Sequence, residues 1–136
     1  MKNNPLVTIY IPCHNYGKFL KIAIQSVINQ IYKEWELIII DEASDDNTNI
    51  IAKEYQKKHP DKIQFIKNSQ PVGLQKVANK VLQIAKGKYM MRLDADDWLH
   101  EMALFTMINK IKDNPNAGII YGNYFYTDEN GKILGI

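Results

Sequence analysis

Three carboxylates crowd one short stretch, MMRLDADDWL: Asp94, Asp96 and Asp97. An apolar run leads straight into them. Two carboxylates about 4 Å apart repel by roughly 4 kcal/mol at an effective dielectric of about 20, so a chain does not gather three for stability alone. A hard divalent cation would relieve the repulsion. Mg²⁺ is typically held by one or two carboxylates together with substrate phosphates and retained waters. Such a site suits a nucleotide diphosphate, because the metal bridges protein and phosphate charge. A calcium loop of the EF-hand kind does not fit, since Trp98 and Leu99 stand where a ligand and a glycine are required. The competing reading is a solvated loop in which Asp96 or Asp97 caps the next helix.

Two more polar clusters follow apolar runs. In DEASDD, Asp41 and Glu42 could accept a ligand N–H such as the imide of uracil, while Ser44, Asp45 or Asp46 caps a helix. In PCHNYG, Pro12 presents a rigid backbone edge, His14 or Tyr16 a ring for base packing, and Asn15 an amide. Cys13 reads as a small buried hydrophobe, not a nucleophile. Lys76 lies in PVGLQKVANK, where helix-start N–H groups could meet an anion, although an ordinary helix start reads equally well. Trp98 reads as a core anchor for its helix or as a surface for a sugar.

The elements that must position these clusters alternate. VTIYIP, WELIIID, IQFIK and KYMMRL read as strands, the second apolar enough to be covered on both faces. Leu20, Ala23, Ile24, Val27, Ile28 and Ile31 fall at helical spacing over 18–31. A second helix runs from caps at Ser44 or Asp45 and stops before His59-Pro60. A third carries Leu74, Val77, Val81 and Ile84 and is ended by Gly87; a fourth carries Leu104, Ile108 and Ile111, with Phe105 beside them. The end reads as a strand from Ile119, an Asn130-Gly131 turn and a return strand. This alternation predicts a mostly parallel sheet with helices on both faces, in which ligands sit outside the carboxyl ends of the strands. All three clusters fall at such ends.

The 136 residues fit one domain, 1–136, and 46% hydrophobic content supports a real core. A net charge of +2 from scattered Lys and Arg argues against nucleic acid as partner. One cysteine excludes an intramolecular disulfide. The opening residues lack the apolar core of a signal peptide, and no stretch approaches transmembrane length. The default expectation is a cytoplasmic protein, or one at the cytoplasmic face of a membrane.

With these residues placed, the chain resembles the donor-binding part of a family 2 glycosyltransferase. The motifs are VTIYIPCHNYGKFLKIAIQSVINQ, WELIIIDEASDDNT and PVGLQKVANKVLQIAKGKYMMRLDADD, in that order, spanning about Leu6 to Asp97 and more loosely to Tyr126. The resemblance implies a GT-A fold, a Rossmann-like three-layer α/β/α sandwich. It implies a nucleotide-sugar donor, most often a UDP-sugar, and a glycan, lipid-linked or other hydroxyl acceptor. Pro12, His14, Asn15 and Tyr16 would contact the nucleoside, Asp41 and Glu42 the uracil and ribose. Asp94 would contact ribose, Asp94 and Asp96 would coordinate Mn²⁺ or Mg²⁺, and Asp97 would be a further ligand or a cap. The family commonly has Asp at the position of Glu42 and a basic residue at Ala78, which leaves Lys76 as a weak substitute at the diphosphate.

Family members are commonly longer, and in inverting members the general base follows the D-x-D region. The expectation is therefore a chain truncated at its C-terminus, carrying the donor site, with the base beyond Ile136. The alternative is a nucleotide-binding module without turnover. A phosphotransfer hydrolase of the haloacid-dehalogenase type is a third reading, but Asp97-Trp98 does not suit its motif.

Overall fold

The computed structural model describes residues 4–136; residues 1–3 of the opening stretch read for a leader lie outside the described residues. Four strands form one parallel sheet in the order β3-β2-β1-β4. They are β1 (Val7–Cys13), β2 (Trp35–Asp41), β3 (Ile63–Lys67) and β4 (Tyr89–Arg92). The intervening helices are α1 (Gly17–Ile28), α2 (Thr48–Lys58) and α3 (Leu74–Ile84), and α4 (Ala103–Asp113) follows β4. A separate antiparallel hairpin, β5 (Tyr126–Thr127) and β6 (Ile133–Gly135), closes the described chain.

The sequence reading of WELIIID as a strand covered on both sides holds. Side chains alternate across a strand. Leu37 and Ile39 pack with Ile9, Ile11, Leu20, Ile24, Ala52 and Leu104, joining α1, α2 and α4 on one face. Ile38 and Ile40 pack with Tyr10, Val77 and Val81, placing α3 on the other. Right-handed crossovers explain the division: two short steps from β1 to β3 lay α1 and α2 on one side, and the return from β3 to β4 lays α3 opposite. Burying each such Ile or Leu contributes about 1.5–3 kcal/mol.

Helix α1 ends at Ile28, earlier than the apolar spacing predicts, and Ile31 is exposed. Gln30 intervenes, fully buried, donating to the His100 carbonyl at 2.7 Å and accepting from the Leu104 N–H at 3.0 Å. Helix α2 begins at Thr48, so neither Ser44 nor Asp45 caps it. Asp46 serves its start instead: Oδ1 accepts from the Thr48 N–H and Oδ2 from the Gly17 N–H, at 2.9 and 2.8 Å. One carboxylate thus sits at the positive ends of two helices. Burial pushes the Asp46 carboxyl up, but the Thr48 hydroxyl and the N–H groups of Thr48 and Gly17 outweigh it and hold it below the usual range.

Helix α3 stops at Ile84, short of Gly87, which packs against β1 and donates to Thr8 Oγ1 at 2.9 Å. The predicted strand from Ile119 shrinks to the two residues of β5. Ile119 and Tyr121 are exposed, and among the described residues no strand pairs with them. The turn lies where expected: the Gly131 N–H donates to the Asp128 carbonyl at 3.0 Å. Trp98 is 43% exposed and reaches the hairpin at Gly131, so it does not anchor the core.

Candidate functional site

Parallel pairing brings the strand ends to one rim. Cys13 registers with Asp41 across β1 and β2, and Tyr10 with Arg92 across β1 and β4. The loop after β1 (14–16), the residues Asp41 and Glu42 and the segment 93–97 therefore emerge side by side. The chain turns from β1 toward β2 on one side and meets β4 on the other, which is the switch point where doubly wound sheets bind ligands.

The β1 and β2 loops are tied together. Asn15 adopts a left-handed φ of 59°, a conformation its short amide tolerates. Its N–H donates to Ser44 Oγ at 2.9 Å, and its Oδ1 accepts from the Asp45 N–H at 3.0 Å. His14 Nδ1 lies 2.7 Å from the Glu42 carbonyl. A carbonyl only accepts, so Nδ1 carries the proton, and Nε2 is the ring nitrogen left over. Pro12 is buried within β1. Tyr16 is 41% exposed, a ring available to a ligand. Cys13 is inert, its thiol pushed up to about 12 by burial and then by Asp41, Asp46 and Glu42.

The acidic pair after β2 divides. Asp41 is fully buried; Oδ1 accepts from the Ser44 N–H at 2.9 Å. Its Oδ2 has no hydrogen bond, and Lys67 Nζ stands 3.7 Å away. Glu42, expected to face the rim beside it, turns inward. Its Oε2 accepts from the N–H groups of Val72 and Gly73, each at 2.8 Å, and its Oε1 accepts from Asn68 Nδ2. Burial raises the Glu42 carboxyl, yet Gly73, Val72 and Asn68 together hold it below the usual range. Gly73 has φ +88°, which suits glycine alone, and opens α3. The longer side chain at 42 thus pins the entrance to α3. Lys76 is exposed in the first turn of that helix.

Expected to converge on one cation, Asp94, Asp96 and Asp97 do not form a tight cluster. Among the described residues no group of three His, Cys, Asp or Glu side chains is gathered to hold a metal ion. Asp94 faces Arg92, accepting from Nε at 2.6 Å and Nη2 at 2.7 Å, a bidentate pair. Asp96 and Asp97 are exposed. The Asp97 carboxyl is pushed up, first by desolvation and then by Asp96 and Asp94. The donor set itself fits a hard divalent cation, since it offers carboxylate oxygens alone and retains unrelieved repulsion. Sequence reasoning missed Arg92 and Asn68, and it read Ser44 as a helix cap where Ser44 ties the loop to Asn15 and Asp41. The RLD order could have flagged Arg92, because residues i and i+2 share one side of a strand.

The parallel sheet with helices on both faces is a GT-A-type α/β fold. The glycosyl transferase family 2 profile matches residues 8–134, and the chain belongs to that family. It is 35% identical over 134 residues to an uncharacterized glycosyltransferase of Methanocaldococcus jannaschii, covering 97% of this chain and 46% of that protein. Among solved structures it is similar to the mannosyltransferase PcManGT of Pyrobaculum calidifontis in complex with GDP-Man and Mn²⁺. The TM-score is 0.73 and the identity 23%, over 81% of this chain and 33% of that one. It is also similar to residues 1–349 of S. aureus TarS in complex with UDP-GlcNAc. There the TM-score is 0.72 and the identity 22%, over 79% of this chain and 31% of that one. The chain thus spans less than half the length of the curated relatives it matches, 46% of the one above and 19% of a chondroitin synthase of Escherichia coli. Among the described residues no helix is long and apolar enough to cross a membrane.

Proposed function

We propose that this chain binds a nucleotide-sugar donor, a UDP-sugar, at the rim where β1, β2 and β4 end, and that the whole protein transfers the sugar to an acceptor hydroxyl with inversion. The convergence of the three polar strand ends carries this reading. Asp41 supports it, because its unbonded oxygen suits a ligand N–H donor such as the uracil imide. Tyr16 supplies a ring for the base, Pro12, His14 and Asn15 shape the nucleoside edge, and Lys76 is a weak substitute for a basic residue at the diphosphate. Glu42 acts through the loop it pins rather than by touching the base. Asp96 and Asp97 would hold Mn²⁺ or Mg²⁺, with Asp94 joining once Arg92 releases it. Such a cation would stabilise the charge that develops on the departing diphosphate. The acceptor is a glycan or lipid-linked hydroxyl, served on the cytoplasmic side.

A second reading, donor binding without turnover, has one observation in its favour. Neither carboxylate of the hairpin is poised as a base: Asp128 accepts from the Asn130 and Lys132 N–H groups at 2.9 Å, and Glu129 pairs with Lys18 at 3.3 Å.

Calorimetry of UDP binding with and without Mn²⁺, beside Asp96→Ala, tests the donor site. Mn²⁺-dependent binding that the variant loses supports it. A folded wild type that binds no UDP overturns it. Donor hydrolysis or sugar transfer by the bound chain would remove the second reading.

A further inference from the structure

Resting on that donor-site reading, we propose that Arg92 is a diphosphate-binding cation, parked on Asp94 until a metal-bound nucleotide arrives. Arg92 ends β4 and registers with Tyr10 on β1. Tyr10 packs with Val77, Val81 and Ala78, the layer that α3 lays on the sheet. Tyr89 and Met91 pack into the opposite layer. Alternation along β4 therefore directs Arg92 to the α3 side of the rim. On α3, Ala78 packs into that layer beside Val77 and Val81, Lys80 is engaged with Asn68 Oδ1 at 3.3 Å, and Lys76 stands out in solvent. Arg92 is the cation that the β4 end itself places at the switch point.

Its present partner is replaceable. The pair is bidentate, yet the side chains of Arg92 and Asp94 are 44% and 40% exposed. An exposed pair of this kind is worth little on its own. Segment 92–97 carries one guanidinium and three carboxylates, so it keeps a net negative charge that would attract a divalent cation. A divalent cation held at Asp96 and Asp97 would repel the guanidinium and compete for Asp94. The planar fork of arginine matches phosphate oxygens as well as it matches a carboxylate. A diphosphate arriving with the metal gives the fork a new partner on the same rim.

The test titrates UDP and uridine, with saturating Mn²⁺, into wild type, Arg92→Gln and Arg92→Lys, each checked for folding by thermal melting. Arg92→Gln is expected to weaken UDP about tenfold or more while uridine changes by less than about twofold. Arg92→Lys, which keeps charge but loses the fork, is expected to fall between. Equal weakening of UDP and uridine would make Arg92 a prop for the loop and overturn the proposal. UDP affinity that is unchanged or tightened in Arg92→Gln would reduce Arg92 to a counter-ion competing with the metal, and overturn it too. A wild type that binds no UDP removes the donor reading itself, an outcome distinct from both.

Discussion

The Glu42 carboxylate, at the end of β2, accepts from the N–H of Gly73 at 2.8 Å, joining a strand to the start of a helix that follows a different strand. The same oxygen accepts from Val72, and the other takes the Asn68 amide. Glu42→Ala leaves these donors unpaired. A loss of about 2–4 kcal/mol in urea unfolding is expected. Glu42→Gln keeps an oxygen for Val72 and Gly73 but turns an N–H toward Asn68, so about half that loss is expected.

The same contact sets a pH dependence. The Glu42 carboxyl lies below its ordinary value of 4.5 in the folded chain. Its contribution is therefore fully present above that value and fades as pH falls through the lowered folded value. Melting temperature followed from about pH 6 to pH 3 should fall more steeply in wild type than in Glu42→Gln. Parallel curves would show that Glu42 is not the group responsible.

Ala43 holds φ at 60°, the left-handed region, beside the polar ends of β2. A side chain there costs roughly 1–2 kcal/mol, while glycine adds about 0.5–1 kcal/mol of chain entropy. Ala43→Gly is expected to be neutral or to stabilise by up to about 1 kcal/mol. Ala43→Val, branched at Cβ, should destabilise. Chemical denaturation of the pair reads both signs.

Gly87 has no room for a side chain. A Cβ there would meet the Thr8 backbone nitrogen at 2.5 Å and Thr8 Oγ1 at 2.7 Å. Backbone cannot swing aside as a side chain can. Gly87→Ala should cost about 1–3 kcal/mol by overpacking and lower the melting temperature accordingly.

Asp97 is a cost to the metal-free chain, raised by desolvation and by Asp96 and Asp94. Asp97→Asn should raise the melting temperature by about 1 °C without metal. It should also weaken Mn²⁺ binding in the same preparation. A variant that gains neither stability nor a weaker metal affinity would place Asp97 outside the site.

The sheet was legible because WELIIID and IQFIK repeat apolar residues at strand length, with turn residues on both sides. The rim followed from the same alternation, since parallel connections send every polar strand end to one edge. The division of labour within the rim was not legible. Asp41 and Glu42 are neighbours of like charge, yet the role of Glu42 depends on Val72, thirty positions away. Helix α1 ends early for a similar reason: Gln30 looks polar and exposed in sequence, but its partners His100 and Leu104 lie 70 and 74 positions on. Local periodicity carries no information about such contacts. Trp98 shows the converse error, because an apolar type was read as buried when its ring lies on the surface against a hairpin.

Strand β1 is synthesised well before its neighbour β4. β1 sits inside the sheet, and its bond from Gly87 to Thr8 spans 79 positions. At roughly 5–20 residues per second, a ribosome needs on the order of 4–16 s to supply that distance. During that interval Ile9 and Ile11 stand beside an unfilled position in a growing sheet. The nascent chain therefore presents a sticky strand edge for seconds, and overexpression with a holding chaperone should raise its soluble yield.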